Sequence, residues 1–181
     1  MKISKGIGIL AKMRHFVPAQ ILRNLYFAFI APHVNYGIIN WGCAVQTATK
    51  SMQSYLNKAL RIMNFEKYTA SAKPLFNQLG ILGFQESFNS ECAKLIYDIL
   101  NGNQSTIFDK FFEKTSSRHN YQTRQSTDKQ FAYPIIRTNY KKRFFTYNGI
   151  KIWNNIPLQI REQKSKRLFC KYLKKWLLRD F

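Results

Sequence analysis

The chain has 181 residues, of which 29 are Lys or Arg and 9 are Asp or Glu, giving a formal net charge of +20 alongside 45% hydrophobic and 15% aromatic residues. That much apolar material excludes a disordered basic tail and calls for a folded core. The charge strains any compact state by self-repulsion, which bound phosphates would relieve, and it is concentrated in residues 117–181, where 16 basic side chains face 3 acidic ones.

In chain order, Ile3, Ile7, Leu10 and Ala11 share one face at helical spacing and predict an amphipathic helix over 3–13. Pro18 suits the first turn of a second helix carrying Ile21, Leu22, Leu25, Tyr26 and Phe29. Pro32 lacks an amide hydrogen and must kink or end that helix, so 33–41 is expected to continue at an angle until Gly42 closes it. His33, beside the kink, is expected to hydrogen-bond the broken backbone. Thr49 or Ser51 can cap a third helix with Met52, Leu56, Ala59, Leu60 and Met63 inside. Three helices in this span make a bundle.

A short helix over 72–79 leads to a longer one over 85–100, with Phe88, Cys92, Leu95, Ile96 and Ile99 inward and Asn101-Gly102 as its left-handed end. Residues 106–112 suit one more short helix, and the polar run 116–128 suits a linker. Beyond it, 131–136 and 143–147 are rich in aromatic and β-branched residues and predict a small β-ribbon, followed by a tight turn at Asn148-Gly149. Ser165 caps a closing amphipathic helix with Leu168, Phe169, Tyr172, Leu173, Trp176 and Leu177 on one stripe and Lys166, Arg167, Lys171, Lys174 and Lys175 around it.

Several functions lose their basis at this level. No Gly-rich phosphate loop, His-Glu-x-x-His, nucleophile elbow or adjacent Asp-Asp pair occurs, and the nine acids are scattered singly. Two-metal polymerase or nuclease chemistry needs converging carboxylates, so no self-contained active site and no cofactor are expected. Cys43, Cys92 and Cys170 lack zinc-site spacing and read as reduced thiols of a nuclear or cytoplasmic protein. Lys2, Lys5, Lys12 and Arg14 interrupt any signal-peptide core, and the apolar run 21–45 is broken by Pro32, Gly37 and Gly42, which favours a buried helical pair over a transmembrane segment.

The strongest positive signal is the cluster Arg137, Lys141, Lys142 and Arg143 interleaved with Tyr140, Phe144 and Tyr147. Cations for phosphates beside rings for bases are the pairing used at nucleic-acid sites, although the rings could equally pack a ribbon core. Lys151 and the cations of the last helix extend the same basic region.

A longer pattern joins these pieces. The segment Leu25-Tyr26…Pro32-His33…Tyr36-Gly37…Trp41-Gly42, followed by Asn57-Lys58-Ala59-Leu60-Arg61, resembles the region just after the palm in reverse transcriptases of non-LTR retrotransposons of the Jockey/CR1-like group. So do Ser4-Lys5-Gly6-Ile7-Gly8-Ile9-Leu10, Pro74-Leu75-Phe76-Asn77-Gln78-Leu79, Arg137-Thr138-Asn139-Tyr140 and Gly149-Ile150-Lys151-Ile152-Trp153-Asn154-Asn155-Ile156-Pro157.

The resemblance covers nearly the whole chain. The elements read above predict a mostly α fold with a three-helix bundle over 1–66, connecting helices over 67–115, and a basic C-terminal region over 116–181 with the ribbon and the closing helix, and the resemblance implies that the bundle is thumb-like. It also implies a fragment of an RNA-directed DNA polymerase that holds RNA or an RNA–DNA duplex by its backbone, with Lys50, Lys58 and Arg61 as thumb contacts. The metal-binding palm, with its Mg, and the fingers would be partners encoded upstream, and the chain would be inactive alone. Ile3, Ile7 and Leu10 would then be bare where the palm is missing. The rival expectations are a basic module that docks on an acidic protein or an anionic membrane, and a non-functional product of a truncated element.

Overall fold

The computed structural model describes residues 2–113, 115 and 130–180. They form two compact units, Met1–Phe88 with Trp176–Phe181, and Asn89–Lys175. The division falls inside a helix, between Phe88 and Asn89.

In the first unit, α1 (Lys2–Met13) buries Ile3, Ile7 and Leu10, the residues expected to be bare, so their face is covered within the chain itself. A Cβ on Gly6 would come within 3.0 Å of the Phe29 carbonyl oxygen and of Ile30, which explains why glycine stands on this face of α1. Pro18 precedes α2 (Ala19–Phe29), where Leu22 and Tyr26 are buried and burial pushes the Tyr26 hydroxyl pKa up.

Pro32 lies in the first turn of α3 (Ala31–Asn35), and Gly37, left-handed at φ +61, separates it from α4 (Ile38–Trp41). The expected single kinked helix is therefore two short ones. Its break is satisfied by main chain, with the amides of His33 and Val34 donating to the Ile30 carbonyl at 3.1 and 3.2 Å. The His33 side chain is exposed and makes no hydrogen bond among the described residues, so it does not cap the backbone.

The next helix, α5 (Gln46–Met63), buries Leu56, Ala59, Leu60 and Met63. It starts after Val45, which places Thr49 and Ser51 inside it, and the Ser51 hydroxyl donates back to the Ala48 carbonyl at 3.2 Å instead of capping. Then α6 (Lys73–Leu79), with Pro74 in its first turn and Gly80 left-handed at its end, leads to α7 (Phe84–Leu100), whose first amide donates to Gln53 at 2.8 Å.

The second unit takes up α7 at Asn89. Cys92, Ala93, Ile96, Tyr97 and Ile99 are buried, and Gly102 at φ +70 follows the helix end as expected. A 3-10 turn spans Thr106–Phe111, and the expected linker over 116–128 lies outside the described residues. Among the described residues three helices complete the unit: α8 (Phe145–Asn155), α9 (Leu158–Arg161) after Pro157, and most of α10 (Lys166–Leu177).

The β-ribbon does not form. Residues 143–147 run through a 3-10 turn (Lys141–Arg143) into α8, and 131–136 is extended, with a single bridge at Phe131. Helical spacing of Gly149, Ile150 and Trp153, all buried, overrides the β-propensity of Phe-Thr-Tyr. Gly149 is no turn; a Cβ there would sit 3.1 Å from Ile96 and from Phe145, so the glycine permits close helix approach. The extended strip is held instead by Asn154 of α8, which accepts from the Phe131 amide and donates to its carbonyl, both at 2.9 Å.

The core of this unit is a train of rings. Phe145 meets Phe112 at 5.7 Å, Phe112 meets Phe131 at 5.4 Å, Phe131 meets Trp153 at 6.3 Å, Trp153 meets Phe169 at 6.0 Å, and Phe169 stacks on Tyr97 at 4.4 Å. In α10 the buried stripe is Phe169, Leu173 and Leu177, narrower than expected, with Leu168 and Tyr172 turned partly to solvent.

Candidate nucleic-acid interface

Between the extended strip and α8, the 3-10 turn places Lys141, Lys142 and Arg143 on successive corners. With about three residues per turn, the side chains fan outward instead of sharing one face. Arg137 precedes them, and all four cations are exposed with no side-chain partner among the described residues. The turn itself is fixed from both sides: the Lys141 amide donates to the Thr138 hydroxyl at 3.4 Å, and Asn148 donates to the Arg143 carbonyl at 2.8 Å. Tyr140 is 69% exposed and Phe144 48%, their rings edge to face at 5.2 Å. Tyr147 is half-buried and packs on Tyr133 at 5.6 Å.

The cations of α10 divide by helical angle. Arg167, Lys171 and Lys175 recur every four residues, so they form one exposed ridge with a rise of about 6 Å per step. Lys174 is half-buried. Lys166 lies beside the apolar stripe, and its ammonium binds the nearly buried Asp98 carboxylate at 2.6 Å. That hydrogen bond, backed by the opposite charge, raises the pKa of Lys166 above its ordinary value. Lys166 thus holds α10 to α7. Lys151 is exposed on α8.

On α5, Lys50 and Lys58 are exposed, whereas Arg61 is half-buried. Its Nε donates to the Ala70 carbonyl at 2.7 Å and its guanidinium lies 5.8 Å from the Tyr68 ring centre. Two more arginines of the first unit are engaged similarly. Arg14 lies over Phe65 at 4.7 Å; Arg23 lies over Phe27 at 4.9 Å and donates to the Leu79 carbonyl at 3.2 Å. The sequence offered no signal for these anchors, or for Asn154 and Asp98, since each depends on a partner distant in the chain.

Among the described residues no group of three His, Cys, Asp or Glu side chains could hold a metal ion, and no helix is long and apolar enough to cross a membrane. The three cysteines form no disulfide, Cys92 being buried and the others half-buried. No family model, no curated protein and no solved structure matches the chain.

Proposed function

We propose that the chain binds RNA or an RNA–DNA duplex through its phosphate backbone, as the thumb and downstream part of a non-LTR retrotransposon reverse transcriptase would. The observation that carries this reading is the exposed turn bearing Arg137, Lys141, Lys142 and Arg143, with no carboxylate drawn against it among the described residues and with the Tyr140 and Phe144 rings beside it. The ordered motifs from Ser4 to Pro157 support the family, and the absence of an Asp-Asp pair from the sequence supports binding without polymerisation. The ridge Arg167, Lys171 and Lys175, with Lys50, Lys58 and Lys151, adds phosphate contacts.

Affinity set by phosphates falls linearly with the logarithm of salt concentration, with a slope of about −0.7 to −0.9 per neutralised phosphate. Fluorescence anisotropy of a labelled RNA–DNA duplex across a salt series measures it. The expected slope corresponds to several phosphates, and a salt-insensitive affinity overturns the reading.

A further inference from the structure

Beside the cationic turn lies an open cleft of about 340 Å³ lined by Pro134, Ile135, Ile136, Lys141, Phe144 and Thr146. We propose that this cleft receives an unpaired nucleobase, stacked on Phe144, while Lys141 and its neighbours hold the adjoining phosphates. The inference rests on the nucleic-acid reading and adds a preference for single strands at this one place.

Four observations converge. Phe144 lines the cleft and is 48% exposed although it directly precedes α8, and its ring meets Tyr140 edge to face at 5.2 Å, not stacked. Ile135, which also lines the cleft, is 92% exposed, a large apolar side chain held in water. The strip that carries it is pinned at Phe131 by the two hydrogen bonds from Asn154, so the wall is anchored to α8. The lining contains a cation and no carboxylate, which suits a base attached to phosphate and disfavours a cationic ligand. A base inside a duplex is stacked on its neighbours and cannot offer its face to Phe144, whereas an unpaired base can.

The test compares a labelled 12-nucleotide single-stranded RNA with an RNA–DNA duplex of the same length, binding to the full chain. Phe144→Ala should weaken single-strand binding by about 5- to 150-fold, the range for losing one aromatic stack. Duplex binding should change by less than about twofold, since the phosphate contacts remain. Phe144→Tyr should restore the single-strand affinity; Phe144→Leu, apolar without a ring, should not. Ile135→Ser, at an exposed position that does not support the core, should lower single-strand affinity several-fold and so reads the cleft even if Phe144→Ala unfolds. If binding stays salt-dependent but these variants leave the single-strand to duplex ratio unchanged, the cleft proposal fails and the backbone reading stands. If the chain binds neither probe, both fail.

Discussion

The arginines of the first unit and the cationic turn of the second are used in opposite ways. In the first, Arg14, Arg23 and Arg61 lie over the rings of Phe65, Phe27 and Tyr68, and the latter two also donate to main-chain carbonyls. These cations are part of the structure. In the second, Arg137, Lys141, Lys142 and Arg143 stand in water on a braced turn, and Arg167, Lys171 and Lys175 line one ridge of α10. A net charge of +20 therefore overstates the surface open to an anion, whose open part includes Lys50 and Lys58 of the first unit as well as the turn and ridge of the second.

The cores differ as well. The first unit packs helices mainly through aliphatic residues such as Leu10, Leu22, Leu56 and Leu60, while the second is centred on rings running from Phe145 to Tyr97. The largest expected effect follows from this. Phe169→Ala removes the ring that touches both Tyr97 and Trp153, and should cost about 3–5 kcal/mol, read by chemical denaturation. A cost under about 1 kcal/mol would break the view of the ring train as the core of that unit.

Next comes the clasp. Asn154→Leu leaves the amide and carbonyl of Phe131 without their partner and should cost about 2 kcal/mol, with faster hydrogen exchange at the Phe131 amide. Unchanged exchange would contradict the role given to Asn154. Arg61→Leu should cost about 1–2 kcal/mol while weakening RNA binding little, because that guanidinium is committed to Ala70 and Tyr68. A large binding loss with unchanged stability would reverse the contrast between the units.

Helix positions with apolar residues three and four apart were legible in the sequence: Ile3, Ile7 and Leu10, or Leu56, Ala59, Leu60 and Met63, sit where periodicity put them. Pro32 and Gly102 broke or ended helices because their constraints are local. The ribbon was misread because Phe145-Thr146-Tyr147 favours strands locally, whereas burial of Gly149, Ile150 and Trp153 on one face makes helix the better state. The cationic turn was visible as composition. Its exposure, and the commitment of Arg61 and Lys166 to other partners, depend on contacts between residues up to 68 positions apart, which no local pattern encodes.

The smallest effect concerns the Lys166–Asp98 pair. Since the folded pKa of Lys166 is raised above its ordinary value of about 10.4, the pair's contribution is complete below that value and is lost as pH rises through the higher one. The ammonium is more than half exposed, so the amplitude should be no more than about 1 kcal/mol. Denaturation between pH 9 and 12, compared with Asp98→Asn, measures it. A wild-type stability that rises relative to Asp98→Asn across that range would have the wrong sign.

The central claim is that the turn at 137–143 is the main anion-binding surface. Its most direct test compares two double charge reversals that change net charge equally, Lys141→Glu with Lys142→Glu and Lys50→Glu with Lys58→Glu, by anisotropy on one RNA–DNA duplex at low salt. The first pair should weaken binding about tenfold or more beyond the second. Equal losses, or a larger loss from Lys50 and Lys58, would contradict the account.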